Sequence, residues 1–310
     1  MKKFLLSASA LFILILLVCG CAAMAASAEE YYTIGMAYFE LGKYEEAEKW
    51  LIRAMQSDRT MTASQYNLGR LAYERQRYYE AAELFEEILK KDPDNVLALR
   101  AAAYTRIKTG DIGIAQRHYS RLLELVPESA DDGYNHALVL YAMERYDEAE
   151  QVLEKYRYSL HDNRDLLLLY ARIQSAQNKV EAIDTFSAWL VEGSNPKVRY
   201  EYALALEYHE LYARALEEYR KAISEVTSST VDIKRSDIRF SLARVLLIAD
   251  SENTEGITEM QNAVEEGFSD TSAIEKLIEN GKITAANRNR LRNIASDMRR
   301  AEENVSETNP

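Results

Sequence analysis

Small residues return in this chain at a spacing of 34. Gly35, Gly69, Ala103 and Ala137 form one series, and Ala47, Ala81, Ala115 and Ala149 form a second, twelve residues behind the first. Leu51, Phe85, Tyr119 and Leu153 make a third. A fixed period of this size is the mark of a stack of like supersecondary units rather than of one closed core. Numbered from Ala28, the unit has a small residue at position 8, a bulky one near 11, Ala at 20, a large apolar residue at 24 and a small or apolar one at 27. Two antiparallel helices need this pattern. Gly or Ala at 8 and Ala at 20 let them approach closely, and the bulky residues fill the space beside them.

The segments 34–54, 68–89 and 102–123 each carry the apolar spacing of two amphipathic helices joined by a short turn. Gly42 and Gly110 fall in that turn, where helices commonly end. The chain has four prolines, and they avoid the predicted helices. Pro93 and Pro127 occupy position 32, beyond the second helix, Pro196 lies at a later unit boundary, and Pro310 is the last residue. Four units are in register at 28–61, 62–95, 96–129 and 130–163. A fifth (about 164–195) is one residue short in its turn, a sixth (196–229) recovers the pattern, and a seventh (about 236–269) is degenerate with one residue inserted. Residues 271–280 and 283–303 read as two further helices that cap the stack, and 304–310 as a frayed tail.

This pattern resembles the tetratricopeptide repeat (TPR). The resemblance covers about 28–269 and implies an all-α protein, a right-handed α-solenoid of about seven helix-turn-helix units with C-terminal capping helices. Taken by domain, the expectation is a signal peptide at 1–20, a lipidated tether at 21–28, the solenoid at 29–270, capping helices at 271–303 and a disordered tail at 304–310.

The N-terminus has the form of an export signal: two lysines, an apolar run, then small residues. Three endings fit it. Val18-Cys19-Gly20-Cys21 resembles the lipobox of bacterial lipoproteins, with cleavage before a lipid-modified Cys21. Ala26-Ser27-Ala28 fits an ordinary A-x-A cleavage site. The apolar stretch is also long enough to stay as a membrane anchor. The lipoprotein reading implies a chain anchored at the membrane and facing the periplasm, and Ala22 after the cysteine implies the outer membrane where there is one. Both cysteines lie in this segment, so the folded part has no disulfide and no thiolate metal ligand. Loss of Lys2 and Lys3 takes the formal net charge from −12 to −14. That field opposes phosphate backbones, so nucleic acid is not an expected partner.

Residues that could carry chemistry are sparse. None of the four histidines, His118, His136, His161 and His209, has the helical spacing of a zinc pair. His136, at position 7, is expected to pack between helices, and His118 and His209 to be exposed near helix ends. There is no nucleophile elbow, phosphate loop or EF-hand. Acidic pairs such as Glu45-Glu46, Glu86-Glu87 and Glu217-Glu218 read as solvated helix faces. Neither an enzyme nor a cofactor is expected.

One constellation stands out. In TPR stacks the first helix of each unit lines the concave surface through positions 2, 5, 9, 12 and 13. The resemblance therefore places Tyr32, Tyr66, Arg100 and Tyr134 (position 5), Arg70 and Tyr104 (position 9), and Tyr73 and Tyr141 (position 12) in the groove, with Phe39, Arg172, Tyr200, Phe240 and Arg244 on the same stripe. Tyrosine and arginine dominate binding hot spots. The competing reading is packing: the chain has 21 tyrosines, and Tyr38, Tyr44, Tyr78 and Tyr146 are framework residues. The family's carboxylate clamp uses Lys and Asn at positions 5 and 9, and this chain lacks it. The expected function is a cell-envelope scaffold that holds a partner protein segment in an aromatic groove. The alternative is a periplasmic solute-handling or transporter-associated TPR lipoprotein, favoured by an enclosed apolar cavity.

Overall fold

A computed structural model describes residues 27–159, 162–250 and 252–308. The signal segment, Cys21 and His161 lie outside the described residues. Within them the regular structure is helical, without strands. Seven consecutive helix pairs follow one another: α1 (Ala28–Glu40) with α2 (Tyr44–Ser57), α3 (Thr62–Glu74) with α4 (Tyr78–Lys91), α5 (Val96–Thr109) with α6 (Ile112–Leu125), α7 (Ala130–Ala142) with α8 (Tyr146–Glu154), α9 (Arg164–Ala176) with α10 (Glu181–Val191), α11 (Pro196–Tyr208) with α12 (Tyr212–Glu225), and α13 (Arg235–Ala249) with α14 (Glu255–Glu265). Two more helices follow, α15 (Thr271–Ile278) and α16 (Ala285–Thr308). The tail expected from 304 is therefore helical as far as Thr308. The chain forms two compact units, 1–139 and 140–310.

The period has a direct physical cause. A Cβ placed on Gly69 in α3 would stand 2.6 Å from Cε1 and 2.8 Å from Cζ of Phe85 in α4. One on Gly35 would stand 2.9 Å from Cγ of Leu51. Position 8 is thus pressed against position 24 of the partner helix. The position-24 side chains Leu51, Phe85, Tyr119, Leu153, Phe186, Tyr219 and Met260 are all essentially without solvent contact, as are the position-20 alanines Ala47, Ala81, Ala115, Ala149, Ala182 and Ala215. In the seventh pair the same device is mirrored: Gly256 in α14 meets Leu247 in α13, 2.7 Å from its Cγ.

The turns repeat as faithfully as the core. The N–H of position 16 bonds back to the carbonyl of position 11 in six successive pairs: Lys43 to Tyr38, Arg77 to Ala72, Asp111 to Arg106, Arg145 to Leu140, Lys179 to Gln174 and Leu211 to Leu206, at 2.8–2.9 Å. This six-to-one bond closes a Schellman motif and requires a left-handed residue at position 15. Gly42 and Gly110 supply it without strain, but Gln76, Glu144, Asn178 and Glu210 adopt it with φ of 58–60°. The shortened fifth unit keeps its left-handed residue in place, because Asn178 lies 34 after Glu144. Helix starts are capped by Ser27, Asn95, Asn163, Asn195 and Asp270, whose side chains accept backbone N–H bonds. At Ser27 the bond is reciprocal, with Glu30 reaching back to the cap's own N–H.

In the second unit, α13 to α16 share a core of Phe240, Met260, Phe268, Leu277, Leu291 and Met298 among others. Phe268 stacks flat on Phe240 at 4.3 Å, which fixes the chain leaving α14. The two terminal helices cover apolar surface that an eighth repeat would otherwise have to cover.

Gly69→Ala is expected to destabilise the protein by about 1–3 kcal/mol, because the rigid Phe85 ring cannot step aside. Gly113→Ala, whose Cβ meets nothing within 4 Å, should be neutral or stabilising by up to about 1 kcal/mol. Equal thermal melts for the two variants would contradict this packing. Gln76→Gly relieves a left-handed side chain and should stabilise by about 0.5–1 kcal/mol, read from denaturant midpoints.

Candidate functional site

In the first unit, α1, α3 and α5 are direct neighbours, and their shared face carries the residues singled out in the sequence. The Asn67 side-chain amide donates to the Tyr32 hydroxyl at 3.1 Å and accepts from Arg70 at 3.0 Å. The Arg70 guanidinium lies over the Phe39 ring, 4.9 Å from its centroid. Tyr73 packs between Tyr78 of its own pair, at 5.1 Å, and Tyr104 of the next, at 5.6 Å. Burial, and then the hydroxyl contact with Tyr104, push the Tyr73 phenol well above its usual range, so it remains a neutral donor. Tyr66 leans on Phe85 at 5.5 Å.

The position-12 aromatics share a structural task. Phe39 meets Tyr44, Tyr73 meets Tyr78 and Tyr141 meets Tyr146, at 5.1–5.7 Å, each across the turn of its own pair. These rings close the mouth of the helix pair with one edge while the other stays partly exposed. They are framework residues that keep one edge at the surface.

The arginines divide sharply. Arg100 is bound bidentately by Asp132 of α7, at 2.8 and 2.6 Å. Burial opposes ionisation of Asp132, which is 1% exposed, yet the Arg100 fork and the Ser129 contact hold its carboxyl below the usual range. In the second unit Arg172 is bound bidentately by Glu201, at 2.8 and 3.1 Å. Arg244 grips Glu207 with two bonds of 2.8 Å, and Glu207 also accepts from the Tyr219 hydroxyl at 2.6 Å. These forks tie the first helix of one pair to the first helix of a neighbouring pair and leave little for a ligand carboxylate. Arg70 differs, being exposed and without a carboxylate partner among the described residues.

Of the eight predicted contact residues, Tyr104 and Arg70 are the exposed ones, while Tyr32, Tyr66, Tyr73, Arg100, Tyr134 and Tyr141 are half-buried. Two residues on the same stripe escaped a search limited to tyrosine and arginine: Leu97 at position 2 and Leu138 at position 9. Leu97 is 56% exposed, Tyr104 45% and Leu138 39%, and all three share the first-helix stripe. Position number alone would have flagged both.

His136 is buried and stacks on Tyr119 at 6.4 Å, as its position implied. His118 departs from expectation. It lies mid-helix in α6, largely covered, and meets Glu86 at 3.0 Å beside Arg106. The second unit has a cleft of about 350 Å³ lined by Lys179, Leu204, Glu207, His209 and Arg244, and one of about 590 Å³ lined by Tyr200, Asp237, Phe240 and Arg244. Among the described residues no helix is long and apolar enough to cross a membrane.

The family model for the tetratricopeptide repeat matches residues 32–96 and 100–158. A solved tetratricopeptide repeat protein from Parabacteroides merdae superposes with a TM-score of 0.56 at 19% identity, over 82% of this chain and 99% of its own. YrrB, described as a TPR protein with an unusual peptide-binding site, superposes with a TM-score of 0.52 at 18% identity, over 56% and 91%. An uncharacterized lipoprotein of Treponema pallidum is 25% identical over 153 residues, which is 49% of this chain and 78% of that protein. The first four helix pairs thus match the tetratricopeptide repeat, and the fold is a solenoid of such units. That fold is a scaffold for protein–protein interaction.

Arg100→Met should cost on the order of 1–3 kcal/mol at pH 7, because it leaves a buried carboxylate unpaired. The folded pKa of Asp132 lies below its unfolded value, so the pair's contribution is complete above about pH 4 and is lost as pH falls through the folded value. The difference between wild type and variant in denaturant melts should therefore shrink toward acid. A gap that stays constant down to pH 3 would contradict the assignment.

Proposed function

We propose that this protein is a non-enzymatic scaffold of a bacterial cell envelope, and that it holds a segment of a partner protein across the α1, α3, α5 and α7 face of its first unit. A lipid on Cys21 anchors it at the membrane, facing the periplasm. The observation that carries the reading is the cluster of exposed large side chains on groove positions, Leu97, Tyr104 and Leu138, beside Arg70 with its open guanidinium. Apolar groups of this size are kept in water at a cost, and a partner that covers them recovers about 25 cal/mol per Å² of apolar area. The tyrosines behind them are held by neighbours, so little rotamer freedom remains to be lost on binding. The lipobox-like Val18-Cys19-Gly20-Cys21 and the likeness to a Treponema lipoprotein support the envelope placement. The clefts of the second unit set charged groups such as Glu207, Arg244 and Asp237 among their apolar lining, which favours a protein partner over a small apolar solute.

A photoreactive residue at Tyr104, introduced in the cell, is expected to give one dominant protein adduct, and the same probe at Glu83, an exposed second-helix residue, none. Lipid or small-molecule adducts alone at Tyr104 would overturn the reading. With the partner in hand, the Tyr66→Ala, Tyr104→Ala double variant should lose more than about 2 kcal/mol of binding, and unchanged affinity would remove both residues from the contact set.

A further inference from the structure

Among the described residues the first helix pair has no predecessor, and the residues on that side are not those of a face made for water. Their positions can be read from the next pair. Leu68 and Leu71 of α3 are buried under α2, and their counterparts 34 earlier are Ile34, which is 37% exposed, and Ala37, which is also exposed. Leu84 of α4 packs against the first pair's core, and its counterpart is Trp50. Arg75, in the turn, reaches back to Glu45 and Glu48 at 3.0 and 2.9 Å, and Arg77 reaches Glu48 at 2.9 Å. The counterparts of these two arginines are Leu41, 69% exposed, and Lys43.

A terminal repeat that ends in water carries a polar outer face. This one carries an aromatic pair, Tyr31 stacked on Trp50 at 5.8 Å, with the Arg53 guanidinium over the indole at 4.7 Å. Ile34 and Leu41 add exposed aliphatic surface, and Lys43 a second cation. Glu30, on the same helix end, is turned back onto the Ser27 N–H. Tryptophan and tyrosine bordered by Lys and Arg is the composition of the boundary between lipid headgroups and acyl chains, where amphipathic rings and long cationic stems are both satisfied.

Chain length narrows the choice of occupant. Six residue steps separate Cys21 from Ser27, and a fully extended chain spans about 3.5 Å per residue. If Cys21 carries the lipid, the start of this face at Ser27 stands within about 20 Å of the bilayer however the intervening residues run, and its far end at Leu41 lies at most about another 20 Å along α1. We propose that the open face of the first pair, formed by Tyr31, Ile34, Leu41, Trp50 and Arg53, lies in the interface of that bilayer and sets the first unit against the membrane. The inference rests on the lipid-anchor reading above.

The test uses the full chain purified from membranes and placed in vesicles of phosphatidylethanolamine and phosphatidylglycerol with brominated acyl chains. Trp189→Phe leaves Trp50 as the sole tryptophan. The mass of the N-terminal peptide reports acylation at Cys21 separately from fluorescence. The expected result is an acylated chain whose Trp50 emission is blue-shifted and lost to bromine quenching. Ile34→Glu with Leu41→Glu should restore the emission without changing acylation or helical circular dichroism. An acylated chain with unquenched Trp50 overturns the inference and leaves the anchor standing. An unacylated Cys21 with quenched Trp50 overturns the anchor alone, and unacylated with unquenched overturns both. A blue shift that grows with protein concentration in lipid-free detergent assigns the face to a second copy of the chain and overturns the membrane assignment.

Discussion

Everything in this chain follows from how closely two helices can approach at one point. Position 8 of the first helix and position 24 of the second meet with no room for a methyl group at Gly35 and Gly69, and with room for one where Ala103, Ala137, Ala171 and Ala203 replace glycine. That contact sets the distance between the helices of a pair, and the alanines at position 20 keep it constant along the pair. With distance and turn both fixed, each pair presents the same two faces. One packs onto the next pair, and the first-helix face is left for other uses. The interior spends almost no polar groups on this, because the turn closes its own carbonyls through the Schellman bond.

The first-helix face is where the units become individual. Between successive pairs it is stitched by bidentate forks, Arg100 with Asp132, Arg172 with Glu201 and Arg244 with Glu207. Such forks fix geometry more than they add stability, since desolvation offsets much of the attraction. Their functional consequence is subtractive. A guanidinium held by its own carboxylate has little to offer a ligand, so the proposed contact set of the first unit narrows to Arg70, Tyr104, Leu97 and Leu138. Packing and recognition are then separable on one helix face, with Tyr73 braced by Tyr78 behind the exposed Tyr104 ring.

The repeat, the helix pairs and the terminal helices were legible in the sequence because glycine and alanine at fixed spacing have one cheap explanation. The left-handed turn residues were legible only where they are glycine. Gln76, Glu144, Asn178 and Glu210 do the same work, and nothing in their side chains announces it. The first-helix stripe was legible by position, but whether an arginine there is free depended on an acid about 30 residues away or more. Asp132 was one of 50 acidic residues, and only the fold pairs it with Arg100. His118 was misjudged for a similar reason: its cover comes from Glu86 of the preceding pair. Leu97 and Leu138 were missed because leucine on a helix reads as core until its exposure is known.

Under the proposed function, a partner covers the first-helix face of the first unit in the cell. The direct test is footprinting with a dicarbonyl reagent for arginine and a tyrosine-nitrating reagent, compared between purified protein and intact cells by peptide mass spectrometry. The expected result is rapid modification of Arg70 and Tyr104 in the purified protein, slow modification of Arg100, Arg172 and Arg244, and protection of Arg70 and Tyr104 in cells. Equal modification of Arg70 and Tyr104 in both settings would contradict it.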